Sequence, residues 1–173
     1  MISQILKLTP GRVEFNGMIE TIRDKKSMQF IVVKDFSGKI QLFIDKVQFP
    51  EISKMFLGLV PGATVKVEGE LIENKNVKLG GREVKVDKAE ITSFAEPNPI
   101  DENSSIDYRL DYRWLDLRTD KNQIMFKVQT LFVNACREFL IERDFIEIHS
   151  PKLIATASES GSEVFEVKYF DTK

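Results

Sequence analysis

The sequence predicts an all-β barrel of five strands in its first 94 residues, followed by the start of an α/β domain. Two features predict the barrel. Apolar and polar residues alternate in five short segments separated by turn residues, and one helical segment lies between the third and the fourth of them. A third feature predicts the α/β part, because a long amphipathic helix follows a proline-containing break and precedes a short alternating segment.

The third β segment shows the alternation most clearly. Ile40, Leu42 and Ile44 recur at period two and face one side of the predicted sheet, whereas Gln41 and Phe43 face the other. The other segments cover residues 13–22, with a bulge or bend expected at Gly17, and residues 28–34, 65–72 and 84–91.

Between the third and fourth segments the apolar spacing lengthens to that of a helix. The apolar residues there are Ile52, Met55, Phe56 and Leu59, and they follow Pro50, a residue type favoured at the first position of a helix. Five strands with this helix give the arrangement of an OB-fold barrel, whose closed sheet has no open edge. We therefore predict an OB-fold in residues 1–94, a linker with two prolines in residues 95–107, and a second domain in residues 108–173.

The second domain is predicted to contain a helix, a strand and a loop. Asp120, with a glutamine three residues later, is typical of a helix start, and apolar residues recur at helical spacing until the helix ends near Asp144. Alternation in residues 145–148 predicts a strand that stops at Pro151. Small and polar residues in the range 155–162 predict a loop.

The composition is that of a globular protein, with 42% hydrophobic and 30% charged residues. The net charge of -2 argues against sequence-blind nucleic-acid binding, so any RNA contact is expected to be local. A single cysteine, Cys136, and a single histidine, His149, exclude a disulfide framework and a Cys or His metal cluster, and we predict no metal site. The sequence contains neither a signal-peptide core nor an apolar stretch of about 20 residues, so we expect a cytoplasmic protein without membrane contact.

Three residues of the predicted barrel could bind a single-stranded nucleotide. Phe30 offers an aromatic ring for stacking, Arg23 offers a cation, and Gln41 offers an amide that both donates and accepts hydrogen bonds. Periodicity alone leaves a second interpretation open, in which Phe30 packs in the core and the other two are solvated surface residues.

Three motifs in the second domain resemble a known family. Residues 108–119 read YRLDYRWLDLRT, which is similar to the segment that enters the catalytic domain of class II aminoacyl-tRNA synthetases of the aspartyl, asparaginyl and lysyl group. The long helix and residues 145–151, FIEIHSP, resemble motif 1 of that class. Residues 157–165, ASESGSEVF, resemble the aspartate-binding loop of aspartyl-tRNA synthetases of the eukaryotic and archaeal type. The resemblance implies an anticodon-binding barrel followed by the start of a catalytic domain built on an antiparallel sheet.

The resemblance also implies roles for individual residues. In the barrel, Phe30 matches the family's base-stacking phenylalanine, and Gln41 matches the glutamine that hydrogen-bonds a neighbouring base. Arg23 matches an arginine of the first strand if a one-residue shift is allowed. In the loop, the residues that match the aspartate pocket are Ser158, Glu159, Ser160 and Gly161. Glu159 would accept a charge-assisted hydrogen bond from the substrate ammonium, although a solvated loop carboxylate is the alternative. Ser160 stands where the family has glycine, and this restricts the backbone of the loop.

By resemblance, the complete enzyme is an aspartate–tRNA ligase. It would use ATP and Mg²⁺ to activate aspartate and would then transfer it to the 3′ end of its tRNA, as a homodimer with Pro151 and Phe145 at the interface. The sequence contains no counterpart of the ATP-binding motifs 2 and 3, so we predict no catalytic residue in it and no aminoacylation by these 173 residues alone. Two alternatives remain open, namely a non-catalytic tRNA-binding fragment and an asparaginyl-tRNA synthetase.

Overall fold

The computed structural model describes residues 1–151, and it contains five strands and five helices in that range. The strands are β1 (Gly11–Asp24), β2 (Met28–Asp35), β3 (Gly38–Asp45), β4 (Thr64–Glu73) and β5 (Arg82–Ser93). The helices are α1 (Ile2–Ile5), α2 (Pro50–Met55), α3 (Ile106–Asp111), α4 (Arg113–Asp116) and α5 (Asp120–Ile141). The chain divides into two compact units, one of residues 1–116 and one that begins at Leu117.

The five strands form a closed barrel in the order β1-β2-β3-β5-β4, which confirms the predicted OB-fold. Neighbouring strands are antiparallel except for β3 and β5, which pair in parallel through residues 41–43 and 83–85. The helix α2 lies between β3 and β4, as predicted, and begins with Pro50. Because the sheet closes on itself, each of the five strands pairs with two neighbours.

The barrel interior is filled by the inward residues of each alternating strand. On β3 these are Ile40, Leu42 and Ile44, all fully buried, as the alternation predicts. Phe56, which follows α2, is also fully buried within the same core. These side chains belong to one continuous apolar cluster, so burial of apolar surface holds the five strands together.

Two glycines allow strands to approach each other closely. β1 is one continuous strand, so the bend expected at Gly17 is absent, and the irregularity lies instead between Ile19 and Thr21. A side chain at Gly17 would lie 3.1 Å from Cβ of Val33 on β2, which explains the glycine without a bend. At Gly69, beside a bulge in the β4–β5 pairing, a side chain would overlap the backbone of Lys85.

A short N-terminal helix, which the sequence pattern did not predict, packs against the barrel core. Ile2 of α1 is fully buried, and its backbone N–H donates to Oδ2 of Asp35 at 2.8 Å. Oδ1 of the same carboxylate accepts from the backbone N–H of Ser37 at 2.7 Å and from that of Gly38 at 3.0 Å. Asp35 therefore ties α1 to the turn between β2 and β3. Burial raises the pKa of Asp35, but these hydrogen bonds outweigh burial and the net pKa lies below its ordinary value.

The described part of the second unit, residues 117–151, contains α5 and the segment after it. α5 begins at Asp120, as predicted, and Oγ1 of Thr119 accepts from the backbone N–H of Asn122 at 3.4 Å as its N-cap. The strand predicted for residues 145–148 is absent from the described structure, because a strand needs a partner and nothing in residues 1–151 pairs with it. Within the described residues, no helix combines the length and the apolar character needed to span a bilayer.

Candidate nucleic-acid interface

The outer face of the barrel carries a row of side chains from three neighbouring strands. Arg23 on β1 is paired with Phe30 on β2, and Phe30 is in turn paired with Phe43 on β3. Directly paired residues point to the same face of a sheet, so these three side chains lie side by side on the outside of the barrel.

Phe30 faces outward and is only partly buried, whereas its neighbours Gln29 and Ile31 are completely buried inside. Its ring centroid lies 5.6 Å from that of Phe43, and the guanidinium carbon of Arg23 lies 5.9 Å from the Phe30 centroid. Phe30 lies outside the apolar core cluster, so the interpretation of Phe30 as a core residue is wrong. The ring is placed where an unpaired base could stack on it.

Gln41 lies on the same outer face of β3, as predicted, but it is not a solvated residue. Only 8% of Gln41 is exposed, because partners from β1 and β5 surround it. Its Oε1 accepts from Nη2 of Arg23 at 2.9 Å, and its Nε2 donates to Oε2 of Glu83 at 2.8 Å. Both ends of the amide are therefore fixed, and the orientation of the side chain is set before any ligand arrives.

Glu83 and Asn74 complete the site, and the sequence reasoning missed both. Glu83 is 4% exposed, and its Oε1 accepts from Nδ2 of Asn74 at 2.7 Å. Glu83 reaches Gln41 only because β3 and β5 pair in parallel, with Gln41 opposite Glu83. The available signal was a glutamate at the start of an otherwise apolar alternating strand, but strand order cannot be inferred from alternation.

The site thus places a cation, two rings, an amide and a carboxylate on one outer surface of the barrel. Rings accept stacked bases, Arg23 can bind a phosphate or a base edge, and Glu83 accepts hydrogen bonds only from base N–H groups. The buried carboxylate also repels phosphate, so a bound strand would have to present its bases to Glu83 and its backbone elsewhere. This combination suits base-specific binding of single-stranded RNA better than general binding to a phosphate backbone.

The segment of residues 108–119 is organised around a buried carboxylate. Asp116 is 1% exposed, and its Oδ1 accepts from Nε of Arg109 at 2.7 Å, while its Oδ2 is bound by Arg113. Burial raises the pKa of Asp116, but the hydrogen bonds from the two arginines outweigh burial and lower it overall. These ion pairs join α3 to α4, so the RLDYRWLD pattern has a structural role in the first unit.

The remaining predicted site residues follow α5 in the sequence. The aspartate-pocket residues Ser158, Glu159, Ser160 and Gly161 lie outside the described residues. Phe145 and Pro151 are exposed. Phe145 borders an open apolar cavity together with other side chains of the same unit, namely Phe132, Val133, Cys136, Leu140 and Ile141. In the described part of the chain, no cluster of three or more His, Cys, Asp or Glu residues is placed to hold a metal ion.

Two family models match the chain. Residues 13–92 match the OB-fold nucleic acid binding domain, and residues 105–172 match the tRNA synthetases class II (D, K and N). The chain therefore contains an OB-fold domain followed by a class II tRNA synthetase domain of the D, K and N group, and the resemblance found in the sequence is confirmed.

Relatives at the level of individual proteins are aspartate–tRNA ligases. The chain is 36% identical over 174 residues to the aspartate–tRNA(Asp/Asn) ligase of Methanopyrus kandleri. This match covers 95% of this chain and 40% of the relative. It is 36% identical over 171 residues to the aspartate–tRNA(Asp) ligase of Pyrococcus abyssi, and this match covers 95% of this chain and 39% of that relative. The chain therefore spans about two fifths of the length of these relatives.

A solved structure is similar in fold as well as in sequence. It is the asparaginyl-tRNA synthetase of Pyrococcus horikoshii complexed with asparaginyl-adenylate, with a TM-score of 0.82 and 31% sequence identity. The match covers 93% of this chain and 38% of that chain.

Proposed function

We propose that this chain is part of an aspartate–tRNA ligase and that its barrel binds the anticodon of an aspartate-accepting tRNA. The observation that carries the proposal is the outer-face site, where the hydrogen-bonded group Arg23, Gln41 and Glu83 lies beside the ring of Phe30. The similarity to aspartate–tRNA ligases supports the choice of amino acid.

In this proposal each residue of the site has a defined role. Phe30 stacks on one anticodon base, and such stacking contributes about 1–3 kcal/mol per base. Gln41 and Glu83 read the hydrogen-bonding edge of a base, because their positions are fixed by each other and by Arg23. A wrong base would leave a nearly buried amide or carboxylate without its partner, and this penalty is the source of specificity.

The catalytic roles belong to the complete protein. There, aspartate would be activated with ATP and Mg²⁺ and then transferred to the 3′ end of the tRNA, with Ser158, Glu159, Ser160 and Gly161 forming part of the aspartate pocket. The domain division at residues 94 and 108 stays a proposal, as does a homodimer with Pro151 and Phe145 at its interface. Exposed apolar side chains along α5 and at Phe145 support such an interface, since large apolar patches usually mark contact surfaces.

An asparaginyl-tRNA synthetase is the second candidate, because a solved enzyme of that name shares 31% identity with the chain. By the genetic code, the anticodons for aspartate and asparagine differ only in their third base, which is C for aspartate and U for asparagine. Discrimination at that base therefore separates the two candidates.

The test is binding of the 173-residue chain to anticodon stem-loop RNAs. We expect the loop with C as the third anticodon base to bind about tenfold or more tightly than loops with a changed middle base, since a mismatched base costs roughly 1–3 kcal/mol. A preference for U over C in the third position would favour the asparaginyl candidate. Equal binding of all loops would refute anticodon recognition by the barrel.

A further inference from the structure

The row of outward side chains continues beyond Phe43 to a fourth strand. In the parallel pairing of β3 with β5, Phe43 lies opposite Lys85. The complete row is therefore Arg23, Phe30, Phe43 and Lys85, on β1, β2, β3 and β5. Neighbouring strands lie about 4.8 Å apart, so the row runs roughly 14 Å around the barrel surface, with the two rings between the two cationic residues.

The geometry of the two rings indicates that they do not serve the same base. Phe30 and Phe43 are tilted by 50° to each other, and a flat base cannot lie parallel to both rings. Their centroids are 5.6 Å apart, which is wider than the rise of about 3.4 Å between stacked nucleotides of one strand. Two neighbouring bases would each fit one ring if the strand were splayed, as single-stranded RNA is when proteins read it.

Lys85 is suited to hold the backbone of the second nucleotide. It is exposed, and its cross-strand neighbour on β4 is Glu70. Within residues 1–151 Lys85 forms no ion pair with Glu70 or with any other carboxylate. Lys88, three residues further along β5, is by contrast paired with Glu68 at 3.4 Å. An ammonium group without a carboxylate partner, next to an outward ring, can bind phosphate without first breaking an ion pair.

We propose that Phe43 and Lys85 form a second nucleotide subsite, in which Phe43 stacks on the base next to the one on Phe30 and Lys85 binds its phosphate. This rests on the proposed function, and it names the residues that hold the nucleotide next to the one stacked on Phe30. The bound RNA then crosses β1, β2, β3 and β5 along the row, and it meets in turn a cation, two rings and a second cation.

The first test uses the whole chain and the anticodon stem-loop RNA, intact or lacking one anticodon base at a time. Phe43→Leu keeps an apolar side chain of similar size and removes the ring. We expect it to weaken binding of the intact loop about fivefold. That effect should vanish on the loop that lacks the base stacked on Phe43. The effect of Phe30→Leu should vanish instead on the loop that lacks the adjacent base, which is stacked on Phe30. Phe36→Leu, at an exposed phenylalanine of the β2–β3 turn, is the matched control and should change nothing.

The outcomes separate the second subsite from the proposed function. If one missing base cancels the effects of both Phe30→Leu and Phe43→Leu, the rings serve one nucleotide and the subsite is refuted. If only Phe30→Leu weakens binding, the subsite is refuted while anticodon binding stands. If neither variant weakens binding although both fold, as judged by thermal unfolding, the proposed function fails as well.

The second test concerns the phosphate contact of Lys85. The slope of log affinity against log salt concentration reports how many phosphates are neutralised, at roughly 0.7 per contact for single strands. We expect Lys85→Gln to lower that slope by about this amount and Lys88→Gln to leave it unchanged. An unchanged slope in Lys85→Gln would remove Lys85 from the subsite.

Discussion

At the scale of single residues, neighbouring side chains on β2 have opposite roles because a strand alternates its faces. Ile31 is fully buried inside the barrel, and Phe30 lies outside it against Phe43. The sequence pattern alone left Phe30 between core and surface, because four successive apolar residues hide the alternation. The pairing of Phe30 with Arg23 and Phe43 on the neighbouring strands places it on the outer face.

Phe30→Ala and Ile31→Ala should therefore separate binding from stability. We expect Ile31→Ala to lower the free energy of unfolding by about 2–5 kcal/mol, because it opens a cavity in the core. Phe30→Ala should cost about 1 kcal/mol, mainly from its ring contact with Phe43, while RNA affinity falls roughly tenfold. Urea unfolding and RNA titration measure the two quantities. A larger loss of stability for Phe30→Ala than for Ile31→Ala would contradict the assigned orientations.

Gln41 is a residue whose face was predicted correctly and whose burial was not. Its partner Glu83 lies 42 positions away in sequence and reaches it through a parallel pairing that alternation cannot reveal. Gln41→Ala should therefore lower the free energy of unfolding by about 1–3 kcal/mol as well as impair base discrimination, because Glu83 loses a hydrogen bond while nearly buried. Chemical denaturation measures this cost. An unchanged stability would mean that Gln41 is as solvated as its sequence position first suggested.

At the scale of elements, the periodic segments were predictable and the pieces without a period were not. The five strands and α2 each have enough alternating or helical positions to be recognised. α1 has only four residues, too few for a helical period, and it is held by Asp35 and by the buried Ile2. For residues 145–148 the error is the opposite, because a strand was predicted and none is present. Their alternation is typical of a strand, but no partner strand lies within residues 1–151.

The contact between Asp35 and α1 predicts a specific pH dependence. Because the pKa of Asp35 is lowered in the folded state, its carboxylate stabilises the fold at pH values above the unfolded pKa of about 4. This contribution is lost as the pH falls through the lower, folded pKa. The difference in unfolding free energy between the wild type and Asp35→Asn should be about 1–2 kcal/mol near pH 6 and should shrink below pH 4. A difference in unfolding free energy that stays constant from pH 6 to pH 3 would contradict this role. The control variant is Asp107→Asn, on the exposed first turn of α3.

At the scale of the whole molecule, the two units differ in how their apolar residues are used. The barrel buries its inward apolar side chains, and its outward ring pair is small. α5, in contrast, exposes large apolar side chains along most of its length, among them Ile124, Val128, Leu131, Phe132 and Phe139. The predicted apolar stripe is therefore present and exposed, as is usual for a contact surface.

The proposed function requires RNA to bind to the outer face of the barrel at β1, β2, β3 and the start of β5. Titrating the isotopically labelled chain with the anticodon stem-loop RNA, and following backbone amide signals by NMR, tests this most directly. We predict that the largest shifts cluster at Arg23, Phe30, Gln41 and Glu83. Shifts concentrated instead on the outer face of β4, around Lys66 and Glu68, would contradict the assigned site.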